Sequence, residues 1–597
     1  MAEIGQSDRR LYFLTNGQPV VSLTDFPSPT DEYSAAFKDQ TLPFLHFYSF
    51  QERRIEKRTF TRGEFWDLAR SAAAQLGNLA MSKGSRITHC FSSNSPYDLV
   101  FRLAAACLGC VPVTVNWEAD SDETIIYKVK ITGAKLVVYD DGFVDRIKRI
   151  KPLLPSVSFL EAKEVESFTP ADQLTYPPVS YDNERMVIFT SGTTGRPKGA
   201  SLSHRSYLAN RLTFESYFGM SKTTQLDLLL VNPLHHTNSS ALSDWGIRRG
   251  GTTIHLLSRY TTAYWKILVE VARQKHDLLV TSLVSRHIDF LESLSTESKL
   301  PVEESELEEA LGRMDILIGS APVGPTTIRR ILKFSKRLPH VRFGSTETCL
   351  EVMATPAMMS TNELLKAFDA GWSHRFQGVD TAGYYIGREH FPFTRVKVVK
   401  GINPESSDYF RPCEVGEPGY LVTQGPNIMN YYVGEPETTK AVFHNGWYTG
   451  LKDIVFTLKN RTDGQLDYYW ISRDSALLIR GGANYAYDQV ATELSQFVAE
   501  NFQLKPQEFK LAVIGLRLSS EHEDNCCVTI ELSESSTNAE SQLKADFIHK
   551  ASAEVSKGAR PDYLRFGIIP RSFKGAILYP QLKQDYLNWL GRVDVKP

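Results

Sequence analysis

The sequence predicts an α/β protein in two parts, a large N-terminal domain of sheets wrapped by helices and a small C-terminal α+β domain. Helix-like and strand-like segments alternate between residues 60 and 131, the same rhythm returns further along, and the pattern changes near Arg473. A chain of 597 residues is also too long for one hydrophobic core, so at least two domains are expected.

Residues 60–76, FTRGEFWDLARSAAAQL, carry apolar side chains at helical spacing. Ser85–Phe91 is strand-like, Ser95–Gly109 is helical again, Val111–Trp117 is a short apolar strand, and Gly133–Asp141 continues the pattern. Strands alternating with helices predict a mainly parallel sheet covered by helices. The rhythm recurs at Asp277–Val284, Met314–Gly319 and Val341–Gly344, and the acidic run Glu303–Glu309 reads as a solvated helix face. Beyond Arg473 come the Gly481-Gly482 loop, a helix over Tyr487–Asn501, strands over Lys510–Leu516 and Cys527–Leu532, and a final helix and strand. Together they make a domain of about 120 residues, a common size for an independent unit. The boundary is placed at Ser472–Ser475, which divides the chain into residues 1–472 and 473–597.

Hydrophobic residues at 42% and charged residues at 23% are ordinary for a soluble globular protein. The net charge of −2, from 67 basic and 69 acidic side chains, leaves no excess to hold a polyanion and argues against nucleic acid as a partner. The polar start MAEIGQSDRR lacks the apolar centre of a signal peptide. No apolar run reaches the roughly 18 residues of a membrane span, and the richest, Leu103–Val115, is broken by Gly109 and Pro112. A cytoplasmic protein without a membrane span is the expectation. Of the seven cysteines, Cys107 and Cys110 form a CxxC-like pair among small apolar neighbours, with no second pair at zinc-ligand spacing. They read as buried core thiols.

The chemistry is concentrated in Phe189-Thr-Ser-Gly-Thr-Thr-Gly-Arg-Pro-Lys-Gly-Ala200, which follows the strand Met186–Phe189. Gly192, Gly195 and Gly199 let the backbone approach an anion closely, and the hydroxyls of Thr190, Ser191, Thr193 and Thr194 add donors. Lys198 supplies a point charge for a phosphate. The spacing is neither GxxxxGK[ST] nor GxGxxG. A flexible polar turn is a poor account of so dense a run of small, hydroxyl and cationic residues.

This string resembles the phosphate loop of the adenylate-forming superfamily, which includes acyl-CoA synthetases, peptide-synthetase adenylation domains and luciferases. Further landmarks follow in that family's order, from FTRGEFWDLA at Phe60 to PRSFKG at Pro570. The resemblance implies a large N-terminal domain of mixed sheets, a small mobile α+β C-terminal lid, and the use of ATP with Mg²⁺. Asn232-Pro-Leu-His-His236 resembles the family's aromatic-or-His motif beside the acyl pocket, with His236 as the gate; read alone, a histidine after a strand is more often structural. Gly319-Ser320-Ala321-Pro322-Val323 resembles the segment that lines the pocket and approaches adenine. Arg342-Phe343-Gly344-Ser345-Thr346-Glu347 resembles the motif that stacks adenine on Phe343, hydrogen-bonds the α-phosphate through Thr346 and holds Mg²⁺ through Glu347. By the same resemblance Asp453 would accept the ribose hydroxyls and Arg473 would reach ribose or phosphate. Ser475 would be the hinge, where relatives carry Asp or Lys, and Gly481-Gly482 would border the pantetheine tunnel of enzymes that use coenzyme A.

Two departures stand out. Leu451 and Lys452 intervene between Thr449-Gly450 and Asp453, where the family has Asp directly after Thr-Gly. More important, the C-terminal motif of the family ends in a lysine that bridges the carboxylate and the α-phosphate, and here that catalytic position is Ala576. An engineered inactive variant, recruitment of Lys574, and a natural nucleotide-binding pseudo-enzyme are all open at this point. The implied activity is ATP-dependent activation of a carboxylic acid to an acyl-AMP, followed by transfer to a thiol. Coenzyme A is the first candidate, because no carrier segment follows the lid, and a separate carrier protein is the second. Thr237 stands where amino-acid-activating relatives have an acidic residue, and Thr237-Asn238-Ser239-Ser240 is polar, which favours a short polar acid without an α-amino group. Trp245 fits either the core or a cation–π wall for the substrate.

Overall fold

The computed structural model describes residues 26–51, 54–168, 176–190, 196–320, 323–376, 379–380, 383–473, 477–480, 483–505, 508–570, 577 and 579–591, with the strand backbones at 11–13 and 19–21. The N-terminal part is built on two large sheets. Strands β1 (Arg86–Cys90), β2 (Val111–Thr114), β3 (Leu136–Tyr139) and β4 (Ser158–Glu161) are all parallel. Helix α1 (Asp122–Thr132) connects β2 to β3. β5 (Glu184–Thr190) joins this sheet parallel to β2, and β6 (Lys198–Ser203) folds back antiparallel to β5, with Lys198 opposite Thr190. Local signals place the helices. Ser121 caps α1 by accepting from the Thr124 amide, and Gly133 ends it at φ +61°, a left-handed conformation cheap only for glycine.

In the second sheet β7 (Leu226–Leu230) is central, and helix α2 (Thr237–Ile247) follows it. β8 (Thr252–Leu257), β9 (Leu278–Leu283), β10 (Asp315–Ile318) and β11 (His340–Phe343) run parallel with it, as does Pro43–Gln51 beyond β8. Past β11 the sheet turns antiparallel through Met353–Ala354, Tyr384–Glu389, Leu466–Arg473, Asp453–Lys459 and Gly419–Gln424. The expectation of a mainly parallel sheet thus holds for one half, and mixed sheets describe the whole.

The C-terminal part has its own core. Phe509–Leu516 and Asn525–Leu532 pair antiparallel, Tyr563–Phe566 adds a parallel strand, and helices Tyr487–Phe502, Glu540–Glu554 and Tyr579–Leu590 accompany them. Leu494, Val498, Ile514, Val528, Leu543 and Phe547 form a separate buried cluster. The loop between the two antiparallel strands docks on the N-terminal part through polar groups. Arg517 donates to the Tyr384 hydroxyl at 2.7 Å, His522 Nε2 lies 2.7 Å from Asp289 Oδ2, and Arg286 faces Glu523 at 3.4 Å.

Six of the seven cysteines are buried, Cys107 and Cys110 among them, and none is disulfide-bonded. Burial pushes the Cys107 and Cys110 thiols up to about 12, the behaviour of core residues rather than metal ligands. Among the described residues no helix is long and apolar enough to cross a membrane.

Candidate active site

The ends of the parallel strands converge on one cavity of about 1070 Å³. His236, Thr237 and Asn238 reach it beyond β7, Arg286 beyond β9, Gly319 and Ser320 beyond β10, and Phe343 to Glu347 beyond β11. Ligands of open α/β sheets bind beyond the carboxyl ends of the strands. The wall also includes Phe189, Thr190 and Lys198 from the loop end of the β5–β6 hairpin, and Ile479, Arg480 and Tyr485 from the C-terminal part.

The glycines at the strand ends are sterically required. A Cβ on Gly344 would lie 1.8 Å from the Leu350 carbonyl oxygen, and one on Gly319 would lie 2.8 Å from that of Arg342. Ser320 is held at φ +68°, the strained left-handed region for a residue with a Cβ.

Lys198, Tyr432, Glu347, Thr346 and Thr237 form a continuous polar line along the wall. The Lys198 ammonium sits 5.6 Å from the Tyr432 ring centroid, and the Tyr432 hydroxyl donates to Glu347 Oε1 at 2.9 Å. Burial, together with the Glu347 carboxylate, drives that hydroxyl far above its ordinary pKa, so it stays a donor. Thr237 donates to the Thr346 hydroxyl at 2.8 Å. A cation at one end of such a line and a carboxylate at its middle suit a phosphate and its counter-ion. Among the described residues no cluster of three or more His, Cys, Asp or Glu could hold a metal. Glu347 alone fits Mg²⁺, which is commonly held by one or two carboxylates and substrate phosphates.

His236 stands at the N-cap position of α2, without a side-chain capping hydrogen bond. Burial, then the Lys128 charge, lowers its pKa to about 4, so the imidazole is neutral at physiological pH. Its ring lies 4.3 Å from that of His235, which meets Trp117 edge-on at 4.2 Å.

Other expected residues sit elsewhere. Trp245 is 1% exposed and packs against Phe214 and Phe218 in the core, away from the cavity wall; of its two readings, the structure has the core one. Ser239 is likewise buried off the wall, because α2 turns only its first residues toward the cavity. Arg342 reaches the wall, but its guanidinium pairs with Glu351 at 2.9 Å. Asp453, 0% exposed, accepts from the Trp470 indole at 2.8 Å, while Gly450, Leu451, Lys452 and Trp470 occupy the wall. Lys452 has φ +55°. Asp453 and Arg473 are register partners on adjacent strands. Ser191, Gly192, Thr193, Thr194, Gly195, Ala321, Pro322, Ser475, Gly481, Gly482, Lys574 and Ala576 lie outside the described residues, as does the Arg473 side chain.

Sequence reasoning missed Tyr432, Trp117 and the pair Asp120–Lys128, all on the wall. None lies in a motif-like string, and only the folded chain brings them to the cavity.

The fold and cavity define a two-part α/β protein whose site lies at the strand ends. Residues 40–433 match the AMP-binding enzyme family, to which the chain belongs. It is similar to the 2-succinylbenzoate–CoA ligase of Bacillus velezensis, 25% identical over 435 residues that cover 72% of this chain and 76% of that protein. Its fold matches a double mutant of o-succinylbenzoate CoA synthetase (MenE) from Bacillus subtilis bound with the product analogue OSB-NCoA. The TM-score is 0.70 at 19% identity, covering 92% of this chain and 97% of that one. The MenE complex with its acyl-adenylate intermediate OSB-AMP gives 0.58, also at 19% identity, covering 92% and 97%.

Proposed function

We propose that the chain is an AMP-forming acid–thiol ligase. The observation that carries this reading is the polar line from Lys198 through Tyr432 and Glu347 to Thr346, in the same cavity as His236. A carboxylate oxygen of the substrate attacks the α-phosphorus of ATP, the bond to the β-phosphate oxygen breaks, and pyrophosphate leaves. Lys198 and the donors of residues 190–195 hold the phosphates, Phe343 takes the adenine, and Thr346 hydrogen-bonds the α-phosphate. Mg²⁺ at Glu347 would neutralise charge on the departing pyrophosphate. The work is positioning and charge neutralisation, as in phosphoryl transfer generally. In the second step a thiol sulfur attacks the acyl carbon, the thiol proton is lost, and AMP leaves. Coenzyme A is the favoured thiol, supported by the ligase names of the similar proteins, with a carrier protein second.

The division falls at 472/473 with Ser475 as hinge, and residues 473–597 act as a lid. The higher TM-score against the product-analogue complex than against the acyl-adenylate complex supports a thioester-forming arrangement here. The favoured substrate is a short polar acid lacking an α-ammonium, since Thr237 and Asn238 offer the cavity no carboxylate. We place the protein in the cytoplasm, a setting that suits seven unpaired cysteines.

Ala576 favours a second reading, a nucleotide-binding pseudo-enzyme. Exchange of radiolabelled pyrophosphate into ATP, run over a panel of carboxylic acids, separates the two. Acid-dependent exchange by this chain or by its Ala576→Lys form supports the ligase, and none from either form leaves the pseudo-enzyme.

A further inference from the structure

The cavity contains a charged pair that the mechanism above does not use. Lys128 lies on α1, in a stripe with the buried residues Ile125, Val129 and Thr132, where an aliphatic side chain would pack without electrostatic cost. Its side chain is 3% exposed and yet forms part of the cavity wall. A buried ammonium costs several kcal/mol of desolvation, so its presence calls for a use or a partner. The partner is Asp120, whose Oδ2 accepts both from Lys128 and from the Asn116 amide.

The placement of this ammonium is specific. It stands 4.7 Å from the ring centroid of Phe189, at the foot of the phosphate hairpin. α1 grips that hairpin a second time, with the Arg196 guanidinium 5.5 Å from the Tyr127 ring centroid. On its other side the charge acts on both His235 and His236, lowering their pKa values alongside burial. The ammonium therefore faces the gap between the phosphate hairpin and the gate of the acyl pocket. An ammonium has three N–H donors, and one on Asp120 leaves donors for oxyanions brought into that gap.

We propose that Lys128 is a catalytic cation of adenylate formation, neutralising the carboxylate and α-phosphate oxygens as they approach and so supplying from the body the charge that Ala576 does not supply from the lid. The proposal rests on the ligase reading. Its structural rival is a staple, in which the pair only ties the 116–120 loop to α1.

The double variant Lys128→Met/Asp120→Asn removes the charge without stranding a buried carboxylate, and Lys128→Arg keeps the charge. The unaltered chain is first assayed for acid-dependent pyrophosphate exchange; if no acid supports it, the ligase reading and this role fall together. With exchange established, the double variant is expected to keep its melting temperature within a few degrees and its KM values within about threefold. Its exchange kcat should fall by about 100-fold, while thioester formation from supplied acyl-adenylate stays within about threefold. Lys128→Arg should retain at least about a tenth of the exchange, and Ala576→Lys added to the double variant should restore most of it. Full exchange in the double variant overturns the Lys128 role and leaves the ligase reading intact. So does equal loss of both half-reactions, or loss that Ala576→Lys does not relieve, which is the behaviour of a staple. If the double variant fails to fold, the Ala576→Lys form decides: unchanged exchange there shows that the body lacks no lid cation, and a further rise of 100-fold or more shows that Lys128 does not supply it.

Discussion

The two sides of the cavity are built differently. On the body side the recognised groups sit at or near the ends of strands of the large sheets: Lys198 opens β6, His236 stands between β7 and α2, Gly319 follows β10 and Phe343 ends β11. On the side of the C-terminal part the described wall comes from Lys557, Gly558 and Arg560, in the connection between the helix Glu540–Glu554 and the strand Tyr563–Phe566, with Ile479, Arg480 and Tyr485 on two short strands. Strand ends fix an atom to within a fraction of an ångström, whereas loops let a group come and go. Chemistry needed in both half-reactions belongs on the first kind of support, and chemistry needed in only one can sit on the second. On the proposed ligase reading, a chain with alanine at position 576 that keeps its body cations is therefore expected to be slowed rather than silenced.

The largest test of this contrast is Lys198→Met, which should lower pyrophosphate exchange by about 1000-fold. Thioester formation from supplied acyl-adenylate should fall far less, and an equal fall would mean that Lys198 shapes the site instead of holding phosphate. Next, Ala576→Lys should raise exchange by less than about tenfold, because Lys128 already supplies the cation; a rise of about 100-fold or more, roughly 2.7 kcal/mol in transition-state stabilisation, would show that it does not. Lys574→Ala in the unaltered chain should change exchange by less than about twofold, and a larger loss would return the cation to the lid. Gly344→Ala probes the rigidity of the body: with the Leu350 carbonyl 1.8 Å from the new Cβ, a loss of about 2–3 kcal/mol is expected in urea unfolding. Glu347→Gln should cut turnover about tenfold at fixed Mg²⁺ while ATP affinity, measured by calorimetry, changes little.

The smallest effect at neutral pH concerns His236. Its buried imidazole takes a proton only near pH 4, whereas the unfolded one does so near 6.5. The unfolded state thus binds more protons between those values, so stability falls as pH drops through that window and is unaffected above it. His236→Gln should flatten that acid slope in melting experiments and leave the exchange rate profile between pH 6 and 8 without a new break.

How much of this was readable beforehand follows the same division. The parallel strands announced themselves because each is a short apolar run between helical segments, and the motif strings lie at their ends. The antiparallel half around Tyr384–Arg473 did not, since its strands are not separated by regular helices and partner across long sequence distances, as Tyr384–Glu389 does with Leu466–Arg473. Lys128 was illegible for a different reason. On a helical projection it falls in the apolar stripe of α1, and a lysine there usually extends its charge to water; only the fold shows Asp120 waiting for it. Trp245 could be read either way because an aromatic side chain serves a core and a ligand wall equally well. The retreat of Asp453 behind Trp470 was signalled by the inserted Leu451-Lys452, but its direction depended on strand register.

The contacts that seat the C-terminal part on the body, Arg517 on Tyr384, His522 on Asp289 and Arg286 on Glu523, are polar and partly exposed. Such contacts are the kind that dissolved ions weaken, with a screening length of about 8 Å at physiological ionic strength. Salt would then act as a lubricant for the whole cycle. Raising it should loosen the docked arrangement and hasten any step limited by undocking, while the apolar packing inside each part stays indifferent. A turnover that climbs with potassium chloride before ATP binding begins to suffer would be the mark of a hinge whose friction is electrostatic.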